Sequence, residues 1–259
     1  MKLYFQEVGA GTPLLILHGL FGSGDNWMTI ARRLAEEGNY HIYLPDLRNH
    51  GRSPHSEEWT YEAMSEDVRA FIEEHALQRP IVLGHSMGGK VTMWLACRYP
   101  ELLRAIVVAD IAPRAYPVHH DTIIEGLLAI PVETIKSRRE ADQILSRYVP
   151  ETGVRQFLLK NLYRTEEGGY AWRMNLKVIA NQLSNVVEGL PGNYRADLPA
   201  LFIRGLNSDY VRDEDIPVIK QHFPRARIAD IAGAGHWLHA EQPEQFLQHL
   251  KSFLQELDA

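Results

Sequence analysis

Ser86 stands in Gly84-His85-Ser86-Met87-Gly88, a Gly-x-Ser-x-Gly pentapeptide. Ile81-Val82-Leu83 runs into it as a buried strand, and Val91, Met93, Trp94, Leu95 and Ala96 leave it as a helix. A serine on so tight a strand-to-helix turn has a strained backbone and an Oγ exposed above the sheet. Gly84 and Gly88 let strand and helix pass where a Cβ would collide. The Met87 N–H falls at the helix N-terminus, free to donate to a developing anion. A serine hydroxyl is a poor nucleophile at neutral pH and needs a base. Gly233-Ala234-Gly235-His236-Trp237 offers one, in a glycine-rich loop after the last predicted strand. His239 competes for that role, but it sits where packing at the start of the final helix is expected. His236 and His239 as a metal pair lack a third ligand.

The base needs a carboxylate to orient it. Asp110 closes the strand after the elbow helix, and Asp209 follows a later strand in Gly205-Leu206-Asn207-Ser208-Asp209. On residue types alone either one fits beside His236. The tetrahedral intermediate of acyl transfer carries an oxyanion, which two fixed backbone donors stabilise by ~3 kcal/mol each. Met87 N–H is one. The second is expected from Leu20, in His18-Gly19-Leu20-Phe21-Gly22 at the end of the Leu14–Leu17 strand. Phe21 and Trp237 are the aromatic side chains expected to contact substrate, and His18 is expected to buttress the loop.

These groups need a scaffold that gathers them. Strands are predicted over Leu3–Val8, Leu14–Leu17, His41–Leu44, Ile81–Leu83, Leu103–Asp110, Ala200–Arg204 and Ala226–Ile231. The most apolar of them have the continuous hydrophobic run of a parallel strand covered on both faces. Helical periodicity spans about Trp27–Glu37, Tyr61–Ala76 and Pro243–Leu257. Such alternation predicts an α/β fold, a mostly parallel sheet flanked by helices. Residues 113–196 break the alternation with helical periodicity and no convincing strand. That stretch is too long for a connection and leaves the sheet at the strand end where ligands bind. It is read as a helical cap inserted after the strand ending at Asp110, with residues 1–112 and 197–259 forming the core.

The chain has 259 residues, 45% of them hydrophobic, and a net charge of −6. No basic stripe marks it for nucleic acid. No signal peptide is evident, and no apolar run reaches the ~18 residues of a membrane helix. One cysteine, Cys97, excludes an intrachain disulfide and fits a cytoplasmic location. His119-His120-Asp121 is read as a turn or helix start rather than a metal site, and no metal is expected elsewhere. The Asp46–Ser53 loop is read as a structural turn beside the site, from which Arg48 could reach the pocket.

The sequence resembles the alpha/beta-hydrolase superfamily over its whole length, and within it the YbfF-type esterases, relatives of mitochondrial abhydrolase-domain proteins. The resemblance rests on His18-Gly19-Leu20-Phe21-Gly22-Ser23, Arg48-Asn49-His50-Gly51, Gly84-His85-Ser86-Met87-Gly88-Gly89-Lys90, Asp110-Ile111-Ala112-Pro113, Gly205-Leu206-Asn207-Ser208 and Gly233-Ala234-Gly235-His236-Trp237. It implies the alpha/beta-hydrolase fold and a serine carboxylesterase acting on short- to medium-chain acyl esters, with acyl thioesters within reach. Most of the superfamily has an aspartate where this chain has Ser208. The YbfF-like branch shares the serine and carries its acid at the position of Asp110. The resemblance therefore implies Ser86, Asp110 and His236 as the catalytic set, with Ser208 as an auxiliary.

The reaction expected is attack by Ser86, an acyl-enzyme intermediate and its hydrolysis, with no metal or organic cofactor. The partner expected is the small-molecule ester or thioester. A homodimer is compatible with the sequence. The rivals are a lyase or carbon–carbon bond hydrolase using the same three side chains, and a non-catalytic ligand-binding protein on the same fold.

Overall fold

Seven strands form one sheet in the order β1-β3-β2-β4-β5-β8-β9. They are β1 (Phe5–Gly9), β2 (Thr12–Leu17), β3 (Tyr40–Pro45), β4 (Ile81–His85), β5 (Ala105–Ala109), β8 (Ala200–Gly205) and β9 (Ala226–Ile231). Only β1 runs antiparallel, against β3; the other pairs are parallel. The computed structural model describes residues 1–118 and 120–258, so the reading of His119 lies outside the described residues.

The apolar runs have the cause expected of them. Side chains alternate across a strand, so a strand covered on both faces must be apolar at every position. In β2, Leu15 and Leu17 join one hydrophobic cluster, and Leu14 and Ile16 join another on the opposite face. The first cluster takes α2 (Tyr61–Glu74) and α3 (Met87–Arg98), the second α1 (Met28–Glu37) and α10 (Pro243–Asp258). Two shorter helices, α8 (Ile216–His222) and α9 (Leu238–Glu241), complete this part of the chain.

Several boundaries differ from the sequence reading. The first strand starts at Phe5 rather than Leu3, and α2 stops at Glu74. Asp110 lies just beyond the end of β5, at a φ of 50°. The α8 turns between β8 and β9 were not anticipated.

Between β5 and β8 the chain carries α4 (Asp121–Leu128), α5 (Arg138–Leu145), α6 (Thr152–Leu159) and α7 (Leu176–Asn181). It also carries a hairpin, β6 (Leu162–Arg164) with β7 (Tyr170–Trp172), where no strand was expected. Three-residue strands are too short to show an alternation. Gly168, at a φ of 94°, makes the turn between them. The two ends of this segment are tied together: Tyr116 N–H donates to Val187 O at 2.8 Å and Leu190 N–H to Pro113 O at 2.7 Å. Lys90, in α3, is buried and reaches Pro113 O (3.1 Å), Arg114 O (2.5 Å) and Glu188 O (2.8 Å). Its three N–H donors meet three carbonyls, which offsets the cost of burying the ammonium.

Candidate active site

The elbow sets the first side chain. Ser86 has φ 53° and ψ −118°, a region that ordinary L-residues avoid. It holds because β4 and α3 pass too close for any alternative. A Cβ on Gly84 would strike the Gly88 carbonyl, and one on Gly88 would strike that of Leu17. The same turn leaves Met87 as the first residue of α3, so its N–H has no carbonyl a turn behind it in the helix.

The loop after β2 comes to the same place. Gly22 N–H donates to Gly19 O at 3.0 Å, closing a tight turn around Leu20 and Phe21, whose φ is 61°. A Cβ on Gly19 would sit 3.3 Å from that of Ser86, so the turn passes directly beside the serine. Leu20 N–H takes no part in the turn's hydrogen bond. His18 is fully buried behind the loop: Leu47 N–H donates to its Nε2 (2.9 Å), and its Nδ1–H donates to Gly19 O (2.8 Å). Burial pulls its pKa down to about 4, so this ring is a neutral strut.

His236 lies in the loop after β9. Its Nε2 is 2.9 Å from Ser86 Oγ and its Nδ1 is 2.8 Å from Asp110 Oδ2. The Nδ1 proton therefore faces the carboxylate, and Nε2 accepts from the serine hydroxyl. Asp110 is fully buried. Its Oδ1 accepts from Gly205 N–H (3.1 Å), and its Oδ2 also accepts from the Ser208 hydroxyl (2.5 Å). Asp209 has a side chain that is 91% exposed and faces Arg212 at 3.5 Å, away from this arrangement.

The other sequence candidates divide. Trp237 is half-buried, its ring 5.8 Å from Phe157 and 6.3 Å from His236. Phe21 is buried, and its carbonyl accepts from Asn161 Nδ2 at 2.7 Å. His239 stacks on Trp27 with centroids 3.9 Å apart, and burial pulls its pKa down to about 3. Arg48 does not reach the pocket; it pairs with buried Asp67 at 2.6 Å and 3.0 Å. Among the described residues no cluster of histidine, cysteine, aspartate or glutamate is arranged to hold a metal ion.

Two neighbours of His236 went unread in the sequence. The Tyr210 ring stacks on it at 3.8 Å and 17°, and burial pushes the phenol up to about 12. His85 Nε2–H donates to the His236 carbonyl at 2.8 Å, and burial holds His85 well below the usual histidine range. His85 had a signal, an imidazole inside an apolar strand that must find a partner. Tyr210, in a polar loop, had none.

Comparison with known proteins places these observations among relatives. The alpha/beta hydrolase fold family matches residues 12–144. The sn-1-specific diacylglycerol lipase ABHD11 of Danio rerio is 38% identical over 257 residues, spanning 97% of this chain and 81% of its own length. Esterase YbfF of Escherichia coli (strain K12) is 38% identical over 252 residues, spanning 96% and 95%. A solved structure, a marine microorganism esterase, superposes with a TM-score of 0.94 at 44% identity, covering 97% of this chain and 99% of that one.

Proposed function

The chain belongs to the alpha/beta hydrolase family, and from that premise we propose that it is a serine esterase working through an acyl-enzyme. The observation that carries this reading is the unbroken relay from Ser86 Oγ through His236 to Asp110, at 2.9 Å and 2.8 Å. Ser86 attacks the carbonyl carbon while His236 Nε2 takes its proton. Asp110 holds the imidazole in the Nδ1–H tautomer and stabilises the imidazolium that forms. The carbonyl oxygen becomes an oxyanion between the Leu20 and Met87 N–H groups. Collapse of the intermediate expels the alcohol or thiol, which takes the proton from His236. A water then gives up a proton to His236 and attacks the acyl carbon; collapse breaks the acyl–Oγ bond, Ser86 takes the proton back from His236 and the acid is freed. Phe21 and Trp237 are the aromatic contacts proposed for the substrate. The helices and hairpin inserted after β5 are proposed as the cap that sets acyl length.

Relatives named as an esterase and as a diacylglycerol lipase favour carboxylic ester substrates. The test is hydrolysis of a p-nitrophenyl acyl series by the wild type and by Ser86→Ala. A clear acyl-length optimum, lost in the variant, is the expected result. Wild-type turnover no better than that of the variant would leave the lyase, carbon–carbon hydrolase or binding-protein readings in its place.

A further inference from the structure

Gly233 and Gly235 precede the proposed base, and Gly233 has a φ of 73°. A loop with two such residues swings freely unless its backbone is tied. The chemistry proposed above asks His236 Nε2 to stay at its 2.9 Å from Ser86 Oγ, within a tolerance of about 0.5 Å. Asp110 holds the imidazole by its Nδ1. That contact orients the ring and leaves the backbone that carries it unheld.

Two side chains outside the Ser86–His236–Asp110 set take hold of that backbone. His85 Nε2–H donates to the His236 carbonyl at 2.8 Å. Glu241, the last residue of α9, accepts from the Gly235 N–H at 2.8 Å and from the Trp237 N–H at 3.2 Å. The His236 carbonyl and the Trp237 N–H belong to one trans peptide plane and point opposite ways. His85 and Glu241 therefore hold that plane by its two edges.

His85 has a fixed place to pull from. It ends β4, which lies between β2 and β5 in the sheet. Its ring is buried, 5.9 Å from that of Trp27 and 5.0 Å from that of His239. A hydrocarbon would fill this place at less cost than an imidazole. The ring also meets the other parts of the site. Ser86 follows it in the chain, and a Cβ on Gly19 would lie 3.1 Å from its Nδ1. The turn that carries Leu20 thus rests against the same side chain. Burial, with His236 and His239 nearby, keeps His85 uncharged, so it puts no second positive charge beside the imidazolium that forms.

We propose that His85 is a positioning residue for the base, acting with Glu241 to clamp the His236 backbone so that Nε2 stays at the Ser86 hydroxyl. The proposal deepens the esterase reading and rests on it. Neither residue touches the reacting atoms; both act through His236.

The experiment measures kcat and KM on p-nitrophenyl butyrate for the wild type, His85→Gln, His85→Asn, His85→Leu and Glu241→Ala, with the Tm of each. A glutamine amide nitrogen is as many bonds from Cα as the imidazole Nε2, and an asparagine amide nitrogen as many as Nδ1. His85→Gln is therefore expected to stay within about threefold of wild type, while His85→Asn and His85→Leu fall together. A displacement of about 1 Å at a reacting group costs about 10²-fold, and that loss is expected in kcat with KM within about twofold. Glu241 is exposed, so Glu241→Ala is expected to keep its Tm and to lose about tenfold in kcat. A His85→Leu variant within threefold of wild type overturns the proposal. So does a His85→Gln variant no better than His85→Asn, which would make the ring a packing element only. If His85→Leu does not fold, the comparison of the Gln and Asn variants decides. A second readout does not need turnover: the proton NMR signal of His236 Nδ1–H, identified by its absence from Asp110→Asn. It is expected to persist in His85→Gln and to be lost to exchange in His85→Leu; an unaltered signal in His85→Leu overturns the clamp. If the wild type hydrolyses no ester, the esterase reading fails, and this signal decides the clamp separately.

Discussion

Replacing Asp110 by Asn poses a choice that the site cannot satisfy. Oδ1 accepts from Gly205 N–H, while Oδ2 accepts from both His236 Nδ1–H and the Ser208 hydroxyl. An amide keeps one acceptor oxygen and gains a donor. With its oxygen towards Gly205, the NH₂ faces His236 Nδ1, and the imidazole must move its proton to Nε2. That nitrogen then cannot take the proton of Ser86 2.9 Å away. With the oxygen towards His236, the NH₂ confronts the Gly205 N–H in a fully buried site, at a cost of about 1–3 kcal/mol. The first arrangement is the cheaper, so the tautomer is lost. A fixed wrong tautomer costs on the order of 10⁴ in kcat in serine proteases, about 5.5 kcal/mol of barrier. The expected result for Asp110→Asn is thus a fall in kcat/KM of about 10³–10⁴ on a p-nitrophenyl ester, seen in kcat rather than KM. Asp209→Asn, altering an exposed side chain, is expected to stay within about twofold of wild type. Ser208→Ala removes one of two donors to the same oxygen and should cost about tenfold. A greater loss at Asp209 than at Asp110 would refute the argument.

Two further outcomes follow from buried groups. Burial pulls His18 down to about 4 and His50 and His239 to about 3, against an ordinary 6.5. The unfolded chain therefore binds these protons first, so the stability they contribute is present above pH 6.5 and is lost as pH falls towards 3–4. At pH 5 the loss is about 2 kcal/mol per histidine, which together approaches the whole stability of a typical domain. The urea midpoint should drop steeply between pH 7 and 5, and a flat profile would contradict the assignment. Lys90→Met would strip the Pro113, Arg114 and Glu188 carbonyls of their shared donor. A cost of about 3 kcal/mol and a Tm lower by about 6–12 °C are expected by calorimetry, and a shift under 2 °C would rule the clasp out as a source of stability.

How much of this was written in the chain depends on the length scale of each signal. The seven-stranded sheet was legible because runs such as Leu14–Leu17 must be apolar on both faces, a pattern that needs only four residues. The β6–β7 hairpin was not, because three residues cannot show a period and Gly168 reads equally well as a loop. Ser86 and His236 stood out because the elbow and the glycine-rich loop have steric reasons of their own. The acid did not stand out among Asp110 and Asp209, since both follow strands. What separates them is solvent exposure, 0% for Asp110 against 91% for the Asp209 side chain. The choice of Asp110 came from the family resemblance; its Oδ2 lies 2.8 Å from His236 Nδ1. Lys90 carried a signal that went unused: a lysine immediately before the mostly apolar stretch Val91–Ala96 must have its charge met.

The stitched neck at Tyr116–Val187 and Pro113–Leu190 has a bearing on how chains of this kind diversify. Because departure and return lie side by side, residues 117–186 can lengthen, shorten or be exchanged while β5 and β8 keep their register. The proposed nucleophile, base and acid, Ser86, His236 and Asp110, all lie outside that interval. Substrate preference can therefore drift, or be engineered by grafting another enzyme's insert between the same two anchor points, with the reaction itself left alone.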